Sequence, residues 1–134
     1  MDMKLELVMV PVTDVDRAKE FYVRAGFVAD HDQTVSEEVR FVQLTPPGSA
    51  CSIAIGRGLT GMVPGSLDNM QMVVADADAT HADLVARGIE VSEVVDLAWG
   101  RFVHFADPDG NRWSLQQLPA WSTGAGGDGE RPGA

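Results

Sequence analysis

The sequence predicts an α+β fold made of two tandem βαβββ modules. Three observations predict it. The chain repeats itself at a fixed offset. Apolar residues alternate with period two and then switch to helical spacing. Turn residues mark each change of period. The repeat carries most weight. Asp14-Val15-Asp16 is followed by Gly26, and Asp76-Ala77-Asp78 by Gly88, at one offset of 62 (76 − 14 and 88 − 26). The same slide pairs Val8, Val10 and Val12 with Met70, Met72 and Val74, Phe27 with Ile89, and Gly48 with Gly110. An ungapped match with two helix boundaries in phase points to a duplicated supersecondary unit.

Within the first copy, Leu5–Thr13 reads as a strand with Val8, Val10 and Val12 on one face. Asp14 is an N-cap, since its carboxylate can accept the free N–H groups of a first helical turn. Val15, Ala18, Tyr22 and Ala25 then recur at helical spacing, with Phe21 beside them. Gly26 falls where a helix wants a left-handed C′ residue. Strands are expected over Phe27–Gln33, Val39–Leu44 and Ala50–Gly56, the last two separated by Thr45-Pro46-Pro47-Gly48. The second copy starts near Asn69 with Met70, Met72 and Val74 alternating. Asp76 caps its helix and Gly88 stops it. Strands over Ile89–Val95, Arg101–Ala106 and Arg112–Gln117 complete it, with a tight turn at Asp107-Pro108-Asp109-Gly110-Asn111. Residues 1–56 form the first module, 57–68 a Gly- and Pro-containing linker and 69–118 the second module. A Gly-, Ser- and Ala-rich tail over 119–134 is expected to be disordered. One helix covers one face of each small sheet. Pairing the two open faces would make a concave cavity, and pockets favour such places.

Composition narrows the class. At 134 residues and 45% hydrophobic content the chain suits one globular domain. Its formal charge of −10 argues against a nucleic-acid partner, whose phosphates demand a basic face; the simpler meaning of that charge is solubility, and a cationic ligand is a weaker one. No apolar run approaches the ~20 residues that span a bilayer, so no membrane partner is expected. Met1-Asp2-Met3-Lys4 lacks a basic n-region and a long apolar h-region, so no secretory signal is expected, and one cysteine, Cys51, cannot form an internal disulfide. A cytoplasmic, reducing location is expected.

Several segments resemble a known family. Val12-Thr13-Asp14-Val15-Asp16-Arg17-Ala18 with Phe21-Tyr22 is similar to the first strand–helix signature of the vicinal oxygen chelate superfamily. That group includes glyoxalase I, extradiol dioxygenases, and fosfomycin- and bleomycin-resistance proteins. Ala86-Arg87-Gly88-Ile89-Glu90-Val91 resembles its second helix end, and Phe105 to Arg112 its last hairpin. The resemblance spans residues 5 to 118. It implies a glyoxalase/bleomycin-resistance-like fold, two chains per assembly (a homodimer), and in the enzyme members a metal held by His, Gln or Glu on the first and fourth strands of each module. Carried onto this chain, those four positions fall on Leu7, Ser52, Asn69 and Ser114. A hydrocarbon donates no lone pair, and neutral Asn and Ser oxygens do not substitute for imidazole, thiolate or carboxylate at a transition ion. The expected cofactor is therefore none and the expected metal none. This puts in doubt the family's Lewis-acid chemistry, in which the metal polarises substrate oxygens.

Gly56-Arg57-Gly58-Leu59-Thr60-Gly61 matches GxGxxG, but Met62-Val63-Pro64-Gly65 does not open the helix that would hold a pyrophosphate, so it reads as linker. His31 and His81 read as surface histidines. Phe102 and His104 should face the cavity while Val103 and Phe105 face the helix, making His104 the one candidate catalytic residue, as acid or base. It could equally hydrogen-bond a ligand or a strand neighbour. Cys51 should pack under a helix and stay inert. Trp99 precedes Gly100 in a loop that could cover the cavity, with core packing or a dimer contact as the alternatives.

The leading expectation is a protein that binds a small organic molecule without a metal. Leu7, Met9, Trp99 and Phe102 supply apolar contact, and Ser52, Asn69, His104, Ser114 and Gln116 supply polar anchors. Resistance proteins of the superfamily act by such sequestration, which makes a drug or metabolite the candidate ligand. One alternative is a metal-independent isomerase or lyase using His104, with Asn69 or Ser114 donating to an oxyanion. A second is a metal-dependent glyoxalase-like enzyme with shifted ligands.

Overall fold

The computed structural model describes residues 1–120; the tail expected from Pro119 lies, beyond Ala120, outside the described residues. The elements run β1 (Leu7–Met9), α1 (Val15–Arg24), β2 (Val28–Thr34), β3 (Arg40–Thr45), β4 (Ser52–Arg57), β5 (Asp68–Val74), α2 (Ala77–Ala86), β6 (Val95–Leu97), β7 (Gly100–Ala106) and β8 (Arg112–Gln117). They form two four-stranded sheets of the same order, β1-β4-β3-β2 and β5-β8-β7-β6. The first and last strands of each βαβββ run are thus neighbours; β1 pairs parallel to β4, with Leu7 opposite Ser52 and Met9 opposite Ala54. Among the described residues, Met1–Asn69 with Ala106–Arg112 make one compact unit, and Met70–Phe105 with 113–120 make a second.

The duplication holds to the residue at the helices. Asp14 and Asp76 each accept the N–H three residues on, at 3.1 Å, as N-caps. Gly26 and Gly88 have φ of 109° and 79°, the left-handed backbone that releases the chain after a helix. The buried faces differ in depth. α1 buries Val15, Ala18, Phe21 and Tyr22, with the Tyr22 ring edge-on to Phe21; α2 buries only Ala77 and Leu84. In the first unit the helix packs over Val42, Leu44, Ile53 and Ile55, all at most 2% exposed. In the second, Val103, Phe105, Trp113 and Leu115 are buried, and the Phe105 and Trp113 rings lie nearly parallel.

Two strands differ from expectation. β1 is three residues long rather than nine. Pro11 has no N–H and ends the ladder after the Val10 N–H reaches Ala54 O at 2.9 Å. The strand expected over Ile89–Val95 is instead β6, Val95–Leu97. Ser92 is the cause. Its Oγ accepts the His104 N–H at 2.9 Å, where a backbone carbonyl would serve in a ladder, and its own carbonyl meets His81 Nδ1 at 2.9 Å. His81 is accordingly half-buried rather than a surface residue.

Each unit ties its helix to its sheet with one arginine. Arg40 on β3 spans Asp16 of α1 and Asp32 of β2, which also holds Lys19. Arg101 on β7 spans Asp78 of α2 and Asp96 of β6. The helix aspartates, Asp16 and Asp78, are repeat mates. Arg40, then Lys19, hold the Asp32 carboxyl far below the usual carboxylate range. A depressed carboxyl contributes stability above its unfolded pKa of about 3.9 and loses it as acid carries the pH toward the folded value. Asp32→Asn should therefore flatten the acid side of a urea-midpoint profile between about pH 5 and 2, by about 1 kcal/mol or less because the cluster is partly solvated. An unchanged profile in that variant would assign the acid sensitivity to other carboxylates.

Candidate functional site

The arginine ties decide which sheet faces are helix-free. Arg101 reaches α2, so residues 101, 103 and 105 of β7 face the helix and Phe102 and His104 face away. In the first unit Arg40 reaches α1, so Phe41, Gln43 and Thr45 face away from it. Ser52 joins that face: its Oγ meets Thr45 Oγ1 at 2.7 Å and accepts from Gln43 Nε2 at 3.3 Å. Leu7, directly opposite Ser52, and Met9, two residues on, lie on it too.

In the second unit the helix-free face gathers five residues expected at a site. The Phe102 and His104 rings are parallel, with centroids 6.1 Å apart. His104 Nδ1 lies 3.1 Å from the buried Ser114 Oγ. Gln116, 7% exposed, accepts from Gln71 Nε2 at 2.7 Å and donates from its own Nε2 to Trp99 O at 2.8 Å. The Trp99 side chain, at the turn between β6 and β7, is 58% exposed. Val95 and Leu97 pair across from Phe102 and Gly100 and so share their face; Val73 alternates onto it with Gln71. All three are exposed by 43–48%. The result is a polar centre whose partners are already chosen, flanked by exposed hydrocarbon and an indole. Asn69, the second residue of β5, has φ of 94° and clusters with the first unit. Asn tolerates that left-handed backbone better than most residues.

Sequence reasoning missed Gln71, although it stands two residues after Asn69 and period two puts it on the same face. Gln43 lies on the helix-free face of its sheet although its repeat mate, Phe105, is buried facing a helix. Thr45 was invisible inside a turn motif.

A cavity of about 330 Å³ lies in the first unit, where the C-terminal ends of β1 and β4 meet the 57–64 loop. None of the nine expected site residues lines it. Its walls include Pro11, Ala54 and Gly56, which continue the rows begun by Leu7 and Ser52.

Comparison with known proteins decides the family. Residues 4–115 match the family model described as the glyoxalase/bleomycin resistance protein/dioxygenase superfamily. The chain belongs to that superfamily. The crystal structure of TnmS3, an antibiotic binding protein from Streptomyces sp. CB03234, is 36% identical with a TM-score of 0.79, covering 88% of this chain and 98% of that one. A glyoxalase/bleomycin resistance protein from the same organism is 37% identical, TM-score 0.74, covering 85% and 100%. YetH, an uncharacterized protein of Bacillus subtilis (strain 168), is 28% identical over 115 residues, 82% of this chain and 94% of that protein.

The resemblance to metal-dependent enzymes of this superfamily implies a metal ion, and its fit depends on the donors this chain offers. The four corresponding positions offer the alkyl chain of Leu7, the Ser52 hydroxyl engaged by Thr45 and Gln43, the Asn69 amide and the Ser114 hydroxyl engaged by His104. Among the described residues no three His, Cys, Asp or Glu side chains gather as a metal site requires. These residues do not fit a transition ion. What the arrangement offers is hydrogen bonding: His104 and Ser114 exchange one bond whose direction depends on the imidazole tautomer.

Proposed function

We propose that this superfamily member binds a small organic molecule, a drug or metabolite, on the helix-free face of the second unit, and does so without a metal ion. One observation carries the reading: Val73, Val95, Leu97 and Trp99 lie exposed around a polar centre made by Gln71, Gln116, His104 and Ser114. Small-molecule sites have this composition, mostly apolar with a few fixed polar groups. The 36% identity to an antibiotic binding protein supports it, as does the poor fit of the four corner residues to a metal. A homodimer is the proposed assembly; the exposed Met1, Met3 and Leu5 side chains offer it apolar surface. No described helix is long and apolar enough to cross a membrane.

A second reading rests on the 3.1 Å contact between His104 and Ser114. It makes His104 an acid or base in a metal-independent isomerase or lyase. Native mass spectrometry and elemental analysis of the full chain, isolated from its own host without chelator, test the first reading. The expected result is one retained organic molecule per subunit and no stoichiometric metal. Trp99→Ala should cut that retention about tenfold, the loss of one well-packed aromatic contact. Near-stoichiometric Ni, Zn, Mn or Fe would overturn the metal-free claim. If the retained molecule is chemically converted and His104→Ala stops the conversion while retention survives, the enzyme reading replaces the binding one.

A further inference from the structure

The 330 Å³ cavity of the first unit carries a second inference, independent of the face just described. Its outer wall is the segment that matched GxGxxG, and the glycines there do not serve a phosphate. A Cβ on Gly56 would lie 1.9 Å from Arg40 O, and one on Gly58 would lie 2.6 Å from Glu38 O. Gly56 lets β4 press against the β3 backbone at Arg40, and Gly58 lets the following loop press against the backbone of Glu38, just before β3. The third, Gly61, has nothing within 4 Å of its Cβ position. The far end of the loop is pinned by the Gly65 N–H to Pro11 O at 3.2 Å. So tied at both ends, the loop runs beside the ends of β1 and β4 and borders a half-open space lined by Val12, Ala54, Leu59, Met62 and Pro64.

One charged side chain lines this hollow, Arg57, among the apolar side chains of Val12, Leu59 and Met62 and the hydroxyls of Thr13 and Thr60. It makes no hydrogen bond or ion pair among the described residues, whereas Arg40, Arg87, Arg101 and Arg112 each hold an aspartate. In a chain of formal charge −10, an arginine with no carboxylate partner among the described residues, at the rim of a cavity, favours an anion over a cation there. A guanidinium binds a planar anion with paired, charge-assisted hydrogen bonds, and the apolar side chains beside it offer contact to a hydrocarbon group on that anion. We infer that this cavity is a binding site for a small apolar anion, an aryl or alkyl carboxylate or sulfonate, with Arg57 holding the charged end and Val12, Leu59 and Met62 the hydrocarbon. The volume stands at the lower end of the ~300–1,000 Å³ common for ligand pockets, which limits the occupant to a compact molecule.

Two fluorescent probes that share their rings test this. Anilinonaphthalene sulfonate carries the anion and phenylnaphthylamine lacks it. The full chain should bind the sulfonate about tenfold more tightly, equivalent to ~1.4 kcal/mol, with the preference shrinking as salt is raised. Arg57→Glu, at an exposed position, should erase that preference while leaving the neutral probe unchanged, and Arg57→Lys should keep part of it. Thermal melts that match wild type show that the variants fold. Sulfonate affinity untouched by Arg57→Glu, or abolished by Trp99→Ala instead, would overturn the assignment. Neither outcome bears on the ligand retained from the host, so the two readings fail separately.

Discussion

Asp107→Ala is expected to destabilise the protein by roughly 3–5 kcal/mol, seen as a lower urea midpoint and a melting temperature down by about 10–20 °C. The carboxylate is 4% exposed and accepts from four donors: Tyr22 Oη at 2.7 Å, Asn111 Nδ2 at 2.8 Å, and the N–H groups of Asp109 and Asn111 at 2.9 and 3.0 Å. Removing it strands a buried phenol and two turn amides, and an unmet buried donor costs more than an average hydrogen bond contributes. Asn111, itself fully buried, carries the strain onward, because it also donates to Pro11 O and accepts from Leu67 N–H. Tyr22→Phe removes one donor and leaves three, so a milder loss of about 1–2 kcal/mol is expected. If Asp107→Ala melted within a degree or two of wild type, the hairpin would be decoration rather than a fastening of the first unit.

Gly56→Ala should cost about 3 kcal/mol or more, a large effect for one methyl group. The added carbon would stand 1.9 Å from Arg40 O, a backbone atom that moves only if the β3–β4 ladder opens. Leu59 Cδ1, at 2.7 Å from the same point, must shift as well, which deforms the cavity wall. Gly61→Ala is the matched control: with open space around its Cβ it should change stability by no more than about 0.5 kcal/mol. Equilibrium urea unfolding of the pair checks both. Equal midpoints would mean that the close strand approach is not a constraint. The contrast also accounts for the motif-like spacing, since two of the three glycines answer to strand packing and the third to nothing nearby.

Much of the fold was legible because it is written in local chemistry. Asp14 and Asp76 announce helix starts, Gly26 and Gly88 announce ends, and both helices fall in phase at the repeat offset. Alternation put Phe102 and His104 opposite Val103 and Phe105, and Ser114 on the helix-free side with Gln116, because period two leaves only two faces to choose from. Where a side chain replaced a backbone partner, the pattern misled. Ile89–Val95 alternates like a strand, yet Ser92 Oγ takes the His104 N–H and the ladder starts only at Val95. The arginine ties were also unreadable, since Arg40 meets Asp16 and Asp32 only after the chain has doubled back twice.

By itself the sequence determined the duplicated βαβββ architecture, the family, and the absence of good metal donors at the four expected corners, since each depends on residue type and spacing along one chain. Only the tertiary structure decided which groups meet: Gln71 with Gln116, His104 with Ser114, Asp107 with Tyr22, and Arg57 with the cavity of the first unit. The physical reason is that a hydrogen bond or a cavity depends on distances between segments far apart in the chain, and a periodic pattern specifies a face without specifying what stands across from it.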